Sequence, residues 1–191
     1  MFSPSEVLGK KAAAAGLLLF FAAMLLRVEG KSKEPLRVVP SVDLARYSGL
    51  WYEVARLPNR FEEKCAADVS AEYTLRDDGR VRVVNRCRKR DGRMTEAEGV
   101  ARLADERGPN SRLKVRFAPS FLSFLPAVWG DYQIIELSAD YGHAVVGDPS
   151  RKYLWILSRT PQLDEATYRR LTEAAAAQGF DVSRLIRTKH G

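Results

Sequence analysis

A chain of 191 residues with a formal net charge of +7 and two cysteines is long enough for one domain with a real core, too short for two, and not a disulfide-dense miniprotein. Its basic residues are scattered singly along the chain, and no face interleaves aromatic with basic side chains. A nucleic-acid partner is therefore not expected.

Lys10 and Lys11 precede an apolar run from Ala12 to Leu26. That is the length of a signal-peptide core and short for a spanning helix. Residues 1–30 are expected to be a cleaved signal peptide or an uncleaved membrane anchor, and either places the folded part outside the cytosol. No cysteine follows the run closely, so a lipidated N-terminus is not expected. Residues 31–41, with Pro35 and Pro40, read as a polar linker.

From Val42 the pattern changes. Trp51 to Leu57 reads as a strand. Val69, Ala71, Tyr73 and Leu75 alternate with polar neighbours, the period of a half-buried strand. The turn Asp77-Asp78-Gly79 joins it to Val81, Val83 and Asn85, and Asp91-Gly92 leads into Met94 to Leu103. Past a Gly/Pro turn at 106–110, Leu113, Val115 and Phe117 alternate with Arg112, Lys114 and Arg116. After an apolar loop come strands at Tyr132 to Leu137, His143 to Val146 and Tyr153 to Arg159. A helix follows, opened at Thr160-Pro161, with Leu163, Thr167, Tyr168 and Leu171 at helical spacing and Gly179 at its end. Eight short strands in sequence predict an all-β fold, an antiparallel up-and-down barrel or a sandwich, with one helix packed outside.

Three short motifs narrow the choice. Gly49-Leu50-Trp51 opens the first strand, Gly130-Asp131-Tyr132 the sixth, and Arg159 follows the apolar run of the last. In this order they resemble the motifs of the lipocalins, most closely the bacterial outer-membrane (Blc) type, with plant temperature-induced lipocalins and apolipoprotein D as relatives. The resemblance covers roughly 42–186, so the domain is placed at 42–187 with a tail at 188–191. It implies a closed eight-stranded barrel that binds a fatty acid or lysophospholipid and serves lipid transport or membrane maintenance in the bacterial envelope. The chain lacks the lipobox cysteine of lipidated members. Trp51 is expected to plug the closed end, with Arg159 across its indole face; both are read as fold determinants, not ligand contacts.

No residue pattern announces chemistry. There is no G-x-S-x-G, H-E-x-x-H, C-x-x-C or Gly-rich phosphate loop. Of the two histidines, His190 is in the tail and His143 reads as a satisfied or solvated side chain. Glu53 shares parity with Trp51, and its plain reading is as partner to a nearby arginine. Neither catalytic residues, metal ligands nor a cofactor are expected. The alternative is a lipid isomerase on the same barrel, with Cys87 as its nucleophile. Topology favours a disulfide instead, because Cys65 in the first loop and Cys87 at the end of the third strand share one end of the barrel, although hairpin register does not set them directly opposite.

Inward parity assigns the ligand lining to Ala55, Leu57, Val69, Ala71, Tyr73, Val83, Asn85 and, beyond them, Val115, Phe117, Tyr132, Ile134, Tyr153, Trp155 and Leu157. Ala97 and Gly99 are expected to leave room in the fourth strand. A barrel this narrow can also be filled by its own side chains. The apolar loop 119–129, with Phe121, Leu122, Phe124, Leu125 and Trp129, sits at the mouth. It is read as a membrane contact flanked by outward stripes of Arg82, Arg86, Arg88, Arg112, Lys114 and Arg116. A lid over the mouth and a homodimer interface are the competing readings.

Overall fold

The computed structural model describes residues 34–191, so the expected targeting segment lies outside the described residues. A short helix, α1 (Leu44–Tyr47), is capped by the Asp43 carboxylate, which accepts from the Ala45 and Arg46 amides. Strands β1 (Gly49–Arg56), β2 (Cys65–Leu75), β3 (Val81–Lys89) and β4 (Met94–Leu103) follow, then β5 (Arg112–Arg116), β6 (Gly130–Leu137), β7 (His143–Gly147) and β8 (Leu154–Ser158). Each pairs antiparallel with the next, and β8 returns to β1, so the eight strands close into a barrel. Closure leaves no long unpaired edge.

The helix α2 spans Glu165–Ala177. It starts later than Thr160-Pro161, because the Asp164 carboxylate takes the Thr167 amide and sets the cap. Gly179, at φ +87°, ends it. Among the described residues no helix is long and apolar enough to cross a membrane.

Two apolar layers follow from strand alternation. Trp51, Tyr73, Val83, Leu113, Ile134, Val146 and Leu157 fill the barrel. Val54, Ile135, Val145, Leu154 and Ile156 point outward, under Leu171 and Ala175 of α2 and Phe180 beyond it. Leu36, within the stretch read as a polar linker, is buried in this outer layer, and the Val39 amide donates to the Ile134 carbonyl.

In β1 the alternation breaks. Glu53 pairs with Leu157, yet Ala55 pairs with Ile156, so one residue is bulged between them. A bulge shifts parity by one. Ala55 and Leu57, expected to line the cavity, therefore join the outer layer beneath the helix, and Arg56 shares the inner face with Trp155. Where β1 and β2 part, the chain's end fills the gap. A ninth strand, β9 (Ile186–Arg187), pairs with Ala55 and Arg56. The Thr188 amide donates to the Val54 carbonyl, and the Lys189 carbonyl accepts from Asp68. Residues 188–191, read as a tail, are thus held in the barrel wall.

Cys65 and Cys87 form a disulfide with Cα atoms 5.5 Å apart. Cys65 pairs in register with Lys89, so the bridge runs diagonally from β2, which is bulged here, to β3. It crosslinks residues 22 apart, a constraint that stabilises by about 3 kcal/mol in the chain-entropy account.

The first motif is explained by one contact. The Arg159 guanidinium lies 3.9 Å above the Trp51 ring. The Trp51 indole donates to the Tyr47 carbonyl at 2.7 Å. Gly49 adopts φ +96°, and a Cβ there would sit 3.3 Å from Arg159 Nη1. Both facts call for glycine. Gly49→Ala is expected to destabilise by about 1–3 kcal/mol, read as a lower urea midpoint; an unchanged midpoint would reject this account of the motif.

Candidate functional site: the barrel interior and its mouth

The loops after β1, β3, β5 and β7 share one end, the mouth, and those after β2, β4 and β6 share the floor with α1. The floor is packed. Tyr47 from α1, Tyr73 from β2 and Tyr132 from β6 bring their hydroxyls together, with Tyr47–Tyr132 at 2.9 Å and Tyr73–Tyr132 at 3.0 Å. Burial raises all three phenols above their ordinary range, Tyr73 to about 12. They line a cavity of about 20 Å³. Roughly 10–15 Å³ seats one water, so this half of the barrel is filled by its own side chains.

The mouth half is different. β4 pairs with β5 only from Val100 to Leu103, so its beginning has no β5 partner. Asn85 and Ala97 face each other across β3 and β4 on the inner face, yet Ala97 is exposed and Asn85 half-buried. Solvent reaches the inner wall here. Trp155 and Tyr153 stack with ring centroids 6.1 Å apart, and Phe61 lies 5.6 Å from Tyr153. Phe117, just past β5, is 43% exposed at the rim. Its ring occupies the space a Gly99 side chain would need, at 2.7 Å from an added Cβ, as does the Arg116 carbonyl. Gly99 therefore admits Phe117 and leaves no room for a ligand beside it, contrary to the expectation from its size.

Of the expected lining, Tyr73, Val115, Tyr132, Ile134 and Trp155 belong to the inner cluster, and Asn85, Tyr153 and Phe117 stand at the mouth. Ala55 and Leu57 do not contribute. Parity reading missed a polar group that the β1 bulge turns inward. Arg56 donates to Glu53 Oε1 at 2.8 Å, and Thr188 donates to the same oxygen. Arg56 Nε lies 2.9 Å from Glu62 Oε2 as an ion pair, although its N–H is not aligned for a hydrogen bond. The Trp155 indole donates to Glu62 at 3.2 Å. Glu53 is thus the partner of a nearby arginine, as its plain reading had it.

The outer face holds fewer free cations than the sequence suggested. Arg82 pairs with Glu98, Arg86 with Glu72 and Glu96, Arg88 with Asp68, and Lys114 with Asp131. Arg112 donates to the Leu36 carbonyl and Arg116 to that of Ala118. Trp129 lies against the outer wall beneath Arg102 and Arg116, at 4.4 and 5.2 Å, and donates to the Ser123 carbonyl at 2.8 Å. It braces the loop instead of projecting from it. Phe121 and Phe124 do project, 73% and 76% exposed; Leu125 is partly exposed and Leu122 half-buried.

Cys87 has no thiol to offer, being consumed in the disulfide, which removes the nucleophile of the isomerase alternative. His143 Nε2 lies 2.7 Å from Arg170 Nη2. Burial and then the Arg170 charge lower its basicity, so it accepts as a neutral ring. Among the described residues no cluster of metal-ligating side chains is found.

Glu53 is 2% exposed and its Oε2 has no partner among the described residues. Burial, then the Glu62 charge, push its carboxyl up to about 8, against the opposing pull of Arg56 and Thr188. A carboxyl raised on folding stabilises fully below its unfolded value and loses that contribution as pH rises through the folded one. Wild type is therefore expected to lose stability relative to Glu53→Gln between pH 4.5 and about 8. Urea unfolding across that window checks this, and a difference independent of pH would refute it.

Residues 42–190 match the lipocalin-like domain family. The chain is 44% identical to temperature-induced lipocalin-1 of Arabidopsis thaliana over 157 residues, covering 82% of this chain and 83% of that protein. It is 39% identical to outer membrane lipoprotein Blc of Escherichia coli K12, covering 86% and 90%, and 29% identical to apolipoprotein D of Mus musculus, covering 83% and 82%. Insecticyanin from the tobacco hornworm Manduca sexta shares the fold, with a TM-score of 0.62 at 20% identity over 82% of this chain and 85% of that one. With its closed eight-stranded barrel, outer helix and Arg159–Trp51 closure, the chain belongs to the lipocalin-like family.

Proposed function

We propose that this lipocalin binds one fatty acid or lysophospholipid and carries it in the cell envelope, outside the cytosol, without acting on it chemically. The observation that carries the reading is the solvent-reached inner wall at the mouth, where Trp155, Tyr153 and Phe117 present apolar surface beside Asn85 and Ala97. An acyl chain entering there gains about 0.8 kcal/mol per buried CH₂. The envelope setting is supported by the apolar run after Lys10 and Lys11 and by the Blc relatives, which are named as outer membrane lipoproteins. In a titration of the full chain with a fluorescent fatty acid, Trp155→Ala and Phe117→Ala are each expected to weaken binding about tenfold, the order set by losing one large apolar contact. Unchanged affinity in both variants refutes this lining; no binding by wild type refutes the carrier reading.

A second reading, that the mouth rests on a membrane, draws on the β5–β6 loop. Phe121 and Phe124 are its exposed tip. On neighbouring mouth loops Arg60, Lys64 and Arg90 are exposed and make no ion pair among the described residues. Exposed apolar side chains with cations at the same end of the barrel suit an anionic bilayer. Amide exchange in 119–129 is expected to slow when anionic vesicles are added to the full chain, and not in Phe121→Ser/Phe124→Ser. No slowing in wild type overturns the membrane contact, and slowing with protein concentration alone assigns the tip to a dimer instead.

A further inference from the structure

The three floor tyrosines share two hydrogen bonds, Tyr47–Tyr132 and Tyr73–Tyr132. Each hydroxyl carries one proton and offers lone pairs. Three protons serve two links, so one proton always lacks an acceptor, whichever way the chain of bonds is oriented. No other hydrogen bond to these hydroxyls occurs among the described residues. The nearby Ser48 hydroxyl is engaged elsewhere, donating to the Leu44 carbonyl at 2.8 Å and accepting from the Leu75 amide. A buried donor without an acceptor costs free energy comparable to a lost hydrogen bond, and this one adjoins the cavity of about 20 Å³.

We infer that the barrel floor is a binding subsite for a single neutral oxygen acceptor at the buried end of the ligand, received by the hydroxyls of Tyr47, Tyr73 and Tyr132. The ligand class is an apolar chain whose far end carries a ketone, ether or epoxide oxygen, or a hydroxyl that accepts from one tyrosine and donates its own proton to another, so that four protons serve four links. This inference rests on the carrier reading and names what that carrier selects.

Charge excludes the obvious alternative, a carboxylate inserted head first. Apart from the tyrosines and Ser48, the cavity is lined by aliphatic side chains, among them Leu44, Val83, Leu113 and Val115. No cation is among them, and an unpaired carboxylate there would lose its hydration without compensation. Arg159, whose charge reaches Tyr47, is committed to the Trp51 face and to the carbonyls of Arg46, Ser48 and Leu50. Size sets the second limit. The cavity takes one water-sized group, so it receives the tip of a chain whose body lies toward the mouth. A plain methyl end would fill the same space and leave the spare proton unmatched, and that difference is the basis of selection.

The test is competition by a saturated fatty acid and its ω-hydroxy derivative of equal chain length against a fluorescent fatty acid, on the full chain. Wild type is expected to prefer the ω-hydroxy acid about fivefold, the worth of one hydrogen bond between neutral groups. The preference should invert in Tyr47→Phe/Tyr73→Phe/Tyr132→Phe, because the terminal hydroxyl is then buried unpaired. Equal binding of the two acids by wild type overturns the subsite and leaves the carrier reading standing, whereas failure of both to bind overturns the carrier reading itself. A second measurement does not depend on the triple variant folding. The carbonyl stretch of an ω-oxo fatty acid bound to wild type is expected at lower frequency than in hydrocarbon solvent, and an unshifted band overturns the proposal.

Discussion

The Arg159 guanidinium covers the Trp51 ring while donating to the carbonyls of Arg46, Ser48 and Leu50. These carbonyls belong to α1 and its run into β1, and Arg159 itself follows the last residue of β8. One side chain thereby ties the start of the barrel to its end at the seam that closure requires. The carbonyls left open where α1 stops and β1 begins find a donor, and the indole face is sealed from water. The remainder of the floor depends on this. Trp51 held flat fixes the Tyr47 carbonyl through its indole N–H, and the Tyr47 hydroxyl then meets Tyr132.

Above that floor the barrel changes character because its wall does. Short β5 and the long β5–β6 loop leave the beginning of β4 without a neighbour on that side. An eight-stranded barrel has an interior that side chains just fill or that holds one small ligand. This one does both, filled by tyrosines and aliphatics below and open to solvent at the mouth. The buried Arg56–Glu53–Glu62 group stands between the inner wall and the C-terminal strand, with Thr188 donating to Glu53. Burial disfavours the charged form of Glu53, and ionising it would also set a second carboxylate beside Glu62 around one guanidinium, which is why its proton is retained to unusually high pH.

The outer surface shows why a count of basic residues is a poor guide to partners. Cross-strand neighbours on one face of a sheet lie close enough to pair, and Arg82, Arg86 and Arg88 each face an acidic residue on β2 or β4. These exposed pairs are each worth little in stability. Their effect is to neutralise the β3 stripe, so that the cations left without a carboxylate partner among the described residues include Arg102 and Arg116, which lie over Trp129 of the apolar loop, and Arg60, Lys64 and Arg90 on the mouth loops.

The strand alternation, the turns and the three motifs were legible in the sequence because they are local. A period of two, a glycine at a turn, and a tryptophan and arginine at strand ends carry their meaning within a few residues. They were sufficient for eight antiparallel strands, an outer helix and most of the inner face from β2 to β8, whereas the choice of a closed barrel over a sandwich, and its plugged end, came from the resemblance that the three motifs carry. The disulfide was legible at the level of which loops share an end. Tertiary structure alone decided what depended on pairing. One bulge between Glu53 and Ala55 reversed the parity of β1, moving Ala55 and Leu57 under the helix and Arg56 inward. No residue in β1 marks that bulge, because it is set by how β8 and β9 pair with it. Whether Gly99 opened a cavity rested on Phe117, eighteen positions away in the chain and adjacent in space. The role of Tyr47 rested on α1 folding back beneath strands distant in sequence, where three hydroxyls meet that no periodicity relates. Composition and local period show which face of a strand is apolar; only packing of remote segments decides whether that face is filled, covered or left open.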